Sequence, residues 1–301
     1  MSRYLVFDWG GTFLKYALMN ENAEIIEKGK VTSPKKTDSL DCFLNVLDDI
    51  VHTYTDISGI AISSPGIIDS LNGIIHVVGA FPYLQELKLT ELLSNRYGVP
   101  VSIENDGKSA ALAEVWQGNL KDVKDGAVFL IGTSIGGGIV LDGKLRRGKD
   151  FFAGEFSSMC VNTAVPDNKE SYMAQLGTAG LCHRIMGYME LDEEIDGEKA
   201  FTYINEGNEN ACKALKNYTD ALALQLFNIN ILLDLDKILI GGGISQQPVL
   251  LEYLKKSVAD IPSIHPDFIS GIQLPLPVID TCKYYNDANM IGALYHMLYE
   301  G

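Results

Sequence analysis

The sequence predicts a two-lobed α/β fold built by duplication, and three observations carry that prediction. At 301 residues and 47% hydrophobic content, the chain can supply two separate cores. A strand, glycine turn, strand unit at residues 4–19 is followed by a second one at 127–145. After each copy, helical and strand patterns alternate, as in α/β folds, so a ligand cleft is expected between the halves.

The elements follow in order. Residues 4–7 are an apolar run, Gly10 and Gly11 make a turn, and 13–19 returns as the second strand of a hairpin. A third strand is predicted at 24–31, then a helix at 39–52 with Leu40, Phe43, Leu44 and Leu47 at helical spacing. Residues 57–62 form a buried strand. A helix at 87–97 ends at Gly98-Val99-Pro100, and the strand 101–104 runs into an alanine-rich helix at 109–116, for which Gly118 suits the C-cap. From Gly126 the pattern restarts: strand 127–131, glycine-rich turn 132–138, strand 139–145. A long helix at 210–233, a strand at 237–240 and a helix after Gly241-Gly242-Gly243 complete the second half. The last helix, 286–299, is expected to pack back on the first lobe. The predicted lobes are therefore 1–118 with 286–301, and 119–285.

A net charge of -15 disfavours nucleic-acid phosphates and anionic membranes as partners. ATP remains compatible, because it arrives with magnesium and is held by backbone N–H groups. The cysteines Cys42, Cys160, Cys182, Cys212 and Cys282 are dispersed and odd in number, which fits reduced thiols in the cytoplasm. No signal peptide or membrane-spanning apolar stretch is recognisable, so a soluble protein is expected. The histidines His52, His76, His183, His265 and His296 show no metal-ligand spacing. Trp9 and Trp116 read as packing residues.

Asp8-Trp9-Gly10-Gly11-Thr12, with Lys15 beyond, places a carboxylate, a hydroxyl and an ammonium around a turn with accessible N–H groups. Taken by itself this is an ordinary hairpin turn. A second cluster, Gly132-Thr133-Ser134-Ile135-Gly136-Gly137-Gly138, repeats the combination, and Gly241-Gly242-Gly243 lies between a strand and a helix. The third cluster suits either the flat face of a nucleotide or a tight connection with Ser245 as N-cap and Pro248 in the first helical turn. None ends in the Gly-Lys-Ser/Thr of a P-loop or has the dinucleotide glycine spacing. Asn105-Asp106 falls where a strand gives way to a helix, the ligand-facing position of open α/β sheets. Asp106 reads as a helix N-cap or as a base kept ionised by the helix dipole. Ser64-Pro65-Gly66 and Gly154-Glu155 read equally as turns or as pocket lining.

Together these motifs resemble the ROK family of sugar kinases, over nearly the whole chain. The resemblance implies a duplicated ribonuclease H-like fold of the actin, hexokinase and Hsp70 class of ATPases, with two lobes and an interlobe cleft. It implies Asp106 as catalytic base and Asn105, Glu155, Ser64, Pro65, Gly66 and Gly79 as sugar contacts. ATP would be bound by Asp8, Gly10, Gly11, Thr12, Lys15, Gly132, Thr133, Ser134, Gly136, Gly137, Gly241, Gly242 and Gly243, with Asp8 holding Mg2+ directly or through water. Most ROK kinases carry a structural zinc, but Ser158 stands where its histidine is expected and 172–182 lacks the cysteines, so no zinc is predicted. Gly79-Ala80, Trp116-Gln117-Gly118, Ala153-Gly154-Glu155-Phe156 and Asn286-Asp287-Ala288 resemble the zinc-free bacterial β-glucoside kinases, which phosphorylate the 6-hydroxyl of a glucosyl unit. Gly107, Lys108 and Ser134 depart from the family pattern. Glucokinase and N-acetylmannosamine kinase are the runners-up. A sugar-binding pseudokinase and a ROK-type regulator are the non-enzyme readings, the regulator disfavoured by the absence of room before Asp8 for a helix-turn-helix. A homodimer is implied by the family.

Overall fold

The computed structural model describes residues 2–162, 164, 171–264 and 274–300; His265 lies outside the described residues. In chain order the elements are β1 (Arg3–Trp9), β2 (Phe13–Asn20), β3 (Ile25–Thr32), α1 (Leu40–Val51), β4 (Gly59–Ser64), β5 (Ile67–Asp69), β6 (Ile74–Val77), α2 (Leu89–Tyr97), β7 (Val101–Asn105), α3 (Asp106–Gln117), β8 (Gly126–Ile131), β9 (Ile135–Leu141), β10 (Lys144–Arg146), α4 (Thr178–Met189), α5 (Gly197–Asn205), α6 (Glu209–Leu233), β11 (Lys237–Gly241), α7 (Pro248–Ile264), β12 (Ile279–Thr281) and α8 (Ala288–Tyr299). They form two compact units: Met1–Lys121 with Leu145–Gly154 and Asn286–Gly301, and Asp122–Lys144 with Glu155–Tyr285.

The first unit is built on a sheet ordered β3-β2-β1-β4-β7. β1 pairs antiparallel with β2 and parallel with β4, and β4 pairs parallel with β7. Leu5, Val6 and Phe7 are all buried, the near-continuous apolar run of a strand covered on both faces. β3 closes one edge and carries Glu27, Lys28 and Lys30, charges that discourage further strand pairing there. α1 starts at the Ser39 cap, whose hydroxyl accepts from Cys42 N, and buries Phe43, Leu44, Leu47, Ile50 and Val51. Trp9 and Phe43 meet edge to face at 4.9 Å. α8 packs on α3 so closely that a Cβ on Gly292 would stand 1.6 Å from Ser109 O.

The second unit repeats the arrangement with β10-β9-β8-β11-β12. Again a hairpin, β8 with β9, is joined to strands running parallel to its first member. Its core gathers Phe129, Phe156, Tyr218, Leu222 and Ile240. Phe156 stacks on Phe129 at 3.9 Å, and α6 starts at the Asn208 cap and buries Leu215, Tyr218, Leu222 and Leu226.

The structure differs from the sequence reading at several points. Ile135 to Gly138 belong to β9, with Gly137 paired to Phe129 and Gly138 to Val128, so the glycine turn is shorter than 132–138. Glycine is required there by close packing: a Cβ on Gly137 would stand 2.0 Å from Val128 O and 2.8 Å from the Phe156 ring. α3 begins at Asp106, because Asn105 takes the N-cap position. Ser245 sits in a short 3-10 turn, its hydroxyl donating to Gly242 O at 2.8 Å, and α7 opens on Pro248. The segment Leu145–Gly154, assigned by sequence to the second lobe, groups with the first unit because Arg147 is held by Glu104 and Glu300. Among the described residues, no helix is long and apolar enough to cross a membrane.

Candidate active site

In the first unit the chemistry-bearing residues collect at the carboxyl ends of three parallel strands. Asp8 near the end of β1 is in register with Ser63 of β4, and Ser64 is in register with Asn105 of β7. This edge is where open α/β sheets bind ligands.

Asp8 is 6% exposed and fully engaged. Its Oδ1 accepts from Asn289 Nδ2 at 3.0 Å and from Ser63 Oγ at 3.4 Å, and its Oδ2 takes Lys15 Nζ at 3.2 Å. The carboxylate is therefore held in one orientation beside the turn. The turn closes through Gly10 N donating to Phe13 O at 3.0 Å, while Ser33 Oγ donates to Gly10 O at 2.5 Å. Gly11 and Thr12 are exposed, and a Cβ on Gly11 would lie 3.9 Å from Ala80 Cβ, which brings the Gly79-Ala80 loop beside the turn.

Asn105 is buried and uses both ends of its amide. Oδ1 accepts from Lys108 N at 3.0 Å, capping α3, and Nδ2 donates to Gly66 O at 2.9 Å. That second bond ties the loop after β4 to the end of β7. Gly66 has φ +112, and a Cβ there would stand 2.0 Å from Val77 O, so only glycine fits. Asp106 follows as the first helical residue, half-buried, its Oδ1 accepting from Gly107 N at 2.8 Å.

A buried ion cluster lies behind this segment. Glu104, fully buried, accepts from Arg147 Nε at 2.7 Å, and Arg147 Nη2 reaches Glu300 Oε2 at 2.5 Å. His296 Nδ1 lies 3.2 Å from Glu300 Oε2. Burial pushes Glu300 upward, but the hydrogen bond from His296 and the Arg147 guanidinium outweigh it and hold the carboxyl below its usual range. Burial likewise opposes the Arg147 charge, and the Glu104 and Glu300 carboxylates overcome it. Glu104, His296 and Glu300 have the spacing of metal ligands, but the guanidinium between the two carboxylates already supplies the cation.

In the second unit three backbone segments meet at the ends of β8 and β11. Gly132 N donates to Ser134 O at 2.9 Å in an exposed turn, and Thr178 N at the start of α4 donates to Gly132 O at 2.8 Å. A Cβ on Gly177 would stand 2.3 Å from Thr133 O. Gly241 pairs with Leu130, and Gly242, at φ +91, would place a Cβ 2.3 Å from Ile131 O. Gly243 is exposed, with open space where a Cβ would be. Glycine-lined backbone beside a helix N-terminus can hold phosphate through N–H groups.

Residues 4–298 match the ROK family. The chain belongs to the ROK family. The β-glucoside kinase of Listeria monocytogenes is 33% identical over 98% of this chain and 97% of its own length. That of Klebsiella pneumoniae is 31% identical over 96% and 94%. The crystal structure of a ROK family protein from Streptococcus pneumoniae in complex with sucrose matches with a TM-score of 0.87 and 31% identity, covering 99% of this chain and 98% of that one. The sucrose-bound ROK structure shares the observed fold, and the β-glucoside kinase relatives bear out the enzyme class expected from sequence, a carbohydrate kinase.

Within this ROK fold the expected residues are distributed as follows. Asp8, Gly10, Gly11, Thr12, Ser64, Pro65, Gly66, Gly79, Asn105 and Asp106 gather in the first unit. Lys15 is there too, but its ammonium is committed to Asp8. Gly132, Thr133, Ser134, Gly241, Gly242 and Gly243 gather in the second, whereas Gly136 and Gly137 lie within β9. Glu155 begins a 3-10 turn, half-buried, in the second unit. The Ser134 departure is accommodated, since the side chain is exposed and the turn bond uses its carbonyl. Ser158 is exposed, and Cys182 is buried in α4. Sequence reasoning missed Ser63, Asn289, Gly177 and Arg147. Ser63 adjoins a flagged residue and was legible, but Asn289 lies 281 positions from its partner and had no local signal.

Proposed function

We propose that this ROK protein is an ATP-dependent kinase for the 6-hydroxyl of a glucosyl unit in a β-glucoside, with Asp106 as the base. The observation that carries the reading is the strand-end alignment of Asp8, Ser63-Ser64 and Asn105-Asp106 on one sheet edge. The β-glucoside kinase relatives support the substrate class.

In this mechanism the sugar oxygen attacks the γ-phosphorus as its proton passes to the Asp106 carboxylate. The bond from the γ-phosphorus to the β–γ bridging oxygen breaks, and ADP leaves. Asp106 mainly orients the hydroxyl, a contribution of roughly 10²–10⁴-fold. In the first unit the Gly11 and Thr12 N–H groups are offered to phosphate oxygens, Gly10 N being bonded to Phe13 O; in the second, Thr133 and Ser134 N–H are offered likewise, Gly132 N being bonded to Ser134 O, and Gly241-Gly242-Gly243 is offered to the adenosine. Asn105 retains one N–H and one lone pair for a sugar hydroxyl, joined by Ser64 and the Gly66 and Gly79 backbone of the same unit. Asp8 already accepts three donors, so it suits magnesium held through water rather than directly. That ion, when bound, neutralises charge on the phosphates.

The test is ADP release with magnesium, ATP and a panel of cellobiose, gentiobiose, glucose and N-acetylmannosamine. The disaccharides are expected to give the highest kcat/KM, and Asp106→Asn to keep the fold while losing transfer. Sugar binding without turnover on the whole panel would make the protein a pseudokinase. Substantial turnover by Asp106→Asn would assign the base elsewhere.

A further inference from the structure

We propose that Arg147 is a positioning residue for the reaction, acting on Asp106 through Glu104; the inference rests on Asp106 being the base. The path is short and bonded throughout. Arg147 Nε donates to Glu104 Oε2 at 2.7 Å, and the other oxygen, Oε1, accepts from Asn105 N at 2.8 Å. Asn105 Oδ1 then caps α3 at Lys108 N, and Asp106 is the first residue of that helix.

The geometry of Glu104 makes it more than filler. Its carboxylate folds back onto the peptide N–H of the next residue, and Arg147 occupies the oxygen that remains. With both oxygens taken, the group cannot rotate, and the Asn105 peptide is held at the point where strand turns into helix. A fully buried carboxylate also needs a cation, and Arg147 bonds to it from 43 positions away in the chain.

The far side of the guanidinium is anchored in turn. Nη2 reaches Glu300 Oε2 at 2.5 Å and lies 3.4 Å from His296 Nδ1, both on or just beyond α8. A planar fork matches this two-carboxylate arrangement, whereas an ammonium on a flexible stem does not. Stability alone does not require the pair, because well-packed apolar residues commonly replace buried ion pairs without loss. Fixed orientation is what apolar residues would not supply.

Two variants test this. Glu104→Gln/Arg147→Met removes both charges together, leaving Glu300, a quarter exposed, its contact with His296, and Arg147→Lys keeps the charge but loses the fork. Both are measured for melting temperature, kcat and KM for sugar and ATP, beside Asp106→Asn. Both are expected to fold, with KM little changed and kcat down about ten- to a hundredfold, the scale of small misplacements of a reacting group. If the double variant does not fold, Arg147→Lys decides by itself. An inactive Asp106→Asn together with wild-type kcat in a folded Arg147 variant overturns the positioning role and leaves the base in place. Loss of kcat only in proportion to the unfolded fraction overturns it equally. Turnover by Asp106→Asn removes the premise instead.

Discussion

Gly292→Ala is the substitution for which the structure gives the firmest magnitude. The added Cβ would stand 1.6 Å from Ser109 O and 2.4 Å from Ser109 C, where ordinary contact begins at 3.4 Å. The obstacle is helix backbone, so no side chain can rotate away, and α8 and α3 must separate by up to about 1.8 Å. Overpacking costs about 1–3 kcal/mol and more against backbone, and a gap of even 0.5–1 Å forfeits roughly a quarter to half of each dispersion contact along the seam. Alanine's helix propensity returns about 1 kcal/mol. The net loss is about 2–4 kcal/mol, a fall of roughly 5–15 °C in melting temperature for a unit of this size. Calorimetry on the purified variant reads it. Gly187→Ala is the control, since nothing lies within 4 Å of that helical position and its φ is ordinary, so a gain of up to about 1 kcal/mol is expected. Ser109 lies in the first turns of α3, whose first residue is Asp106, so kcat falls with Gly292→Ala as well. A Gly292→Ala protein as stable as wild type refutes the packing, and one that melts early with unchanged kcat refutes the link from seam to catalysis.

The remaining predictions are these. Asp48 on α1 is held below its ordinary value of 3.8, chiefly by the Arg96 hydrogen bond acting against burial, with help from the Tyr97 hydroxyl. A carboxyl whose folded value is depressed contributes stability that is present above 3.8 and is lost as pH falls through the folded value. Asp48→Asn therefore destabilises at neutral pH, and the difference from wild type closes in acid; a constant difference by denaturant titration across that range would contradict the assignment. A zinc-selective chelator is expected to leave ATP-dependent turnover intact, because a serine at 158 offers neither an imidazole nor a thiol and residues 172–181 contain no cysteine; inactivation restored by zinc alone would reverse that expectation. The Asp106 and Arg147 variants described above complete the set.

Local rules made much of the fold legible. The apolar runs of β1, β4, β8 and β11 and the helical spacing of Phe43, Leu44 and Leu47 report directly on burial, so those elements were readable from residue order. The glycine cluster after β8 was readable only in part. Gly137 and Gly138 look like turn residues in sequence, yet both are strand residues, and at Gly137 the missing side chain makes room for Val128 O and the Phe156 ring, a demand that comes in part from a residue about twenty positions away. Asp106 was placed correctly at a strand-to-helix junction, but the cap belongs to Asn105, whose Oδ1 accepts from Lys108 N while its Nδ2 donates to Gly66 O. Arg147 carried no signal at all. Its meaning lies entirely in Glu104 and Glu300, which are brought to it by tertiary structure.

The same topology occurs twice, and the residue types at the strand ends differ between the two units. In the first unit, the central strand and its parallel neighbours end in Asp8, Ser63-Ser64 and Asn105, groups that accept protons, meet cations and recognise hydroxyls. In the second, the ends of β8 and β11 are Ile131-Gly132 and Gly241-Gly242, which offer backbone and space but no titratable side chain, while the neighbouring β12 ends at Thr281-Cys282. Side-chain chemistry suits a sugar hydroxyl that must be oriented and relieved of a proton. Bare backbone suits a phosphate chain and a flat base, which need N–H groups and close approach rather than catalysis.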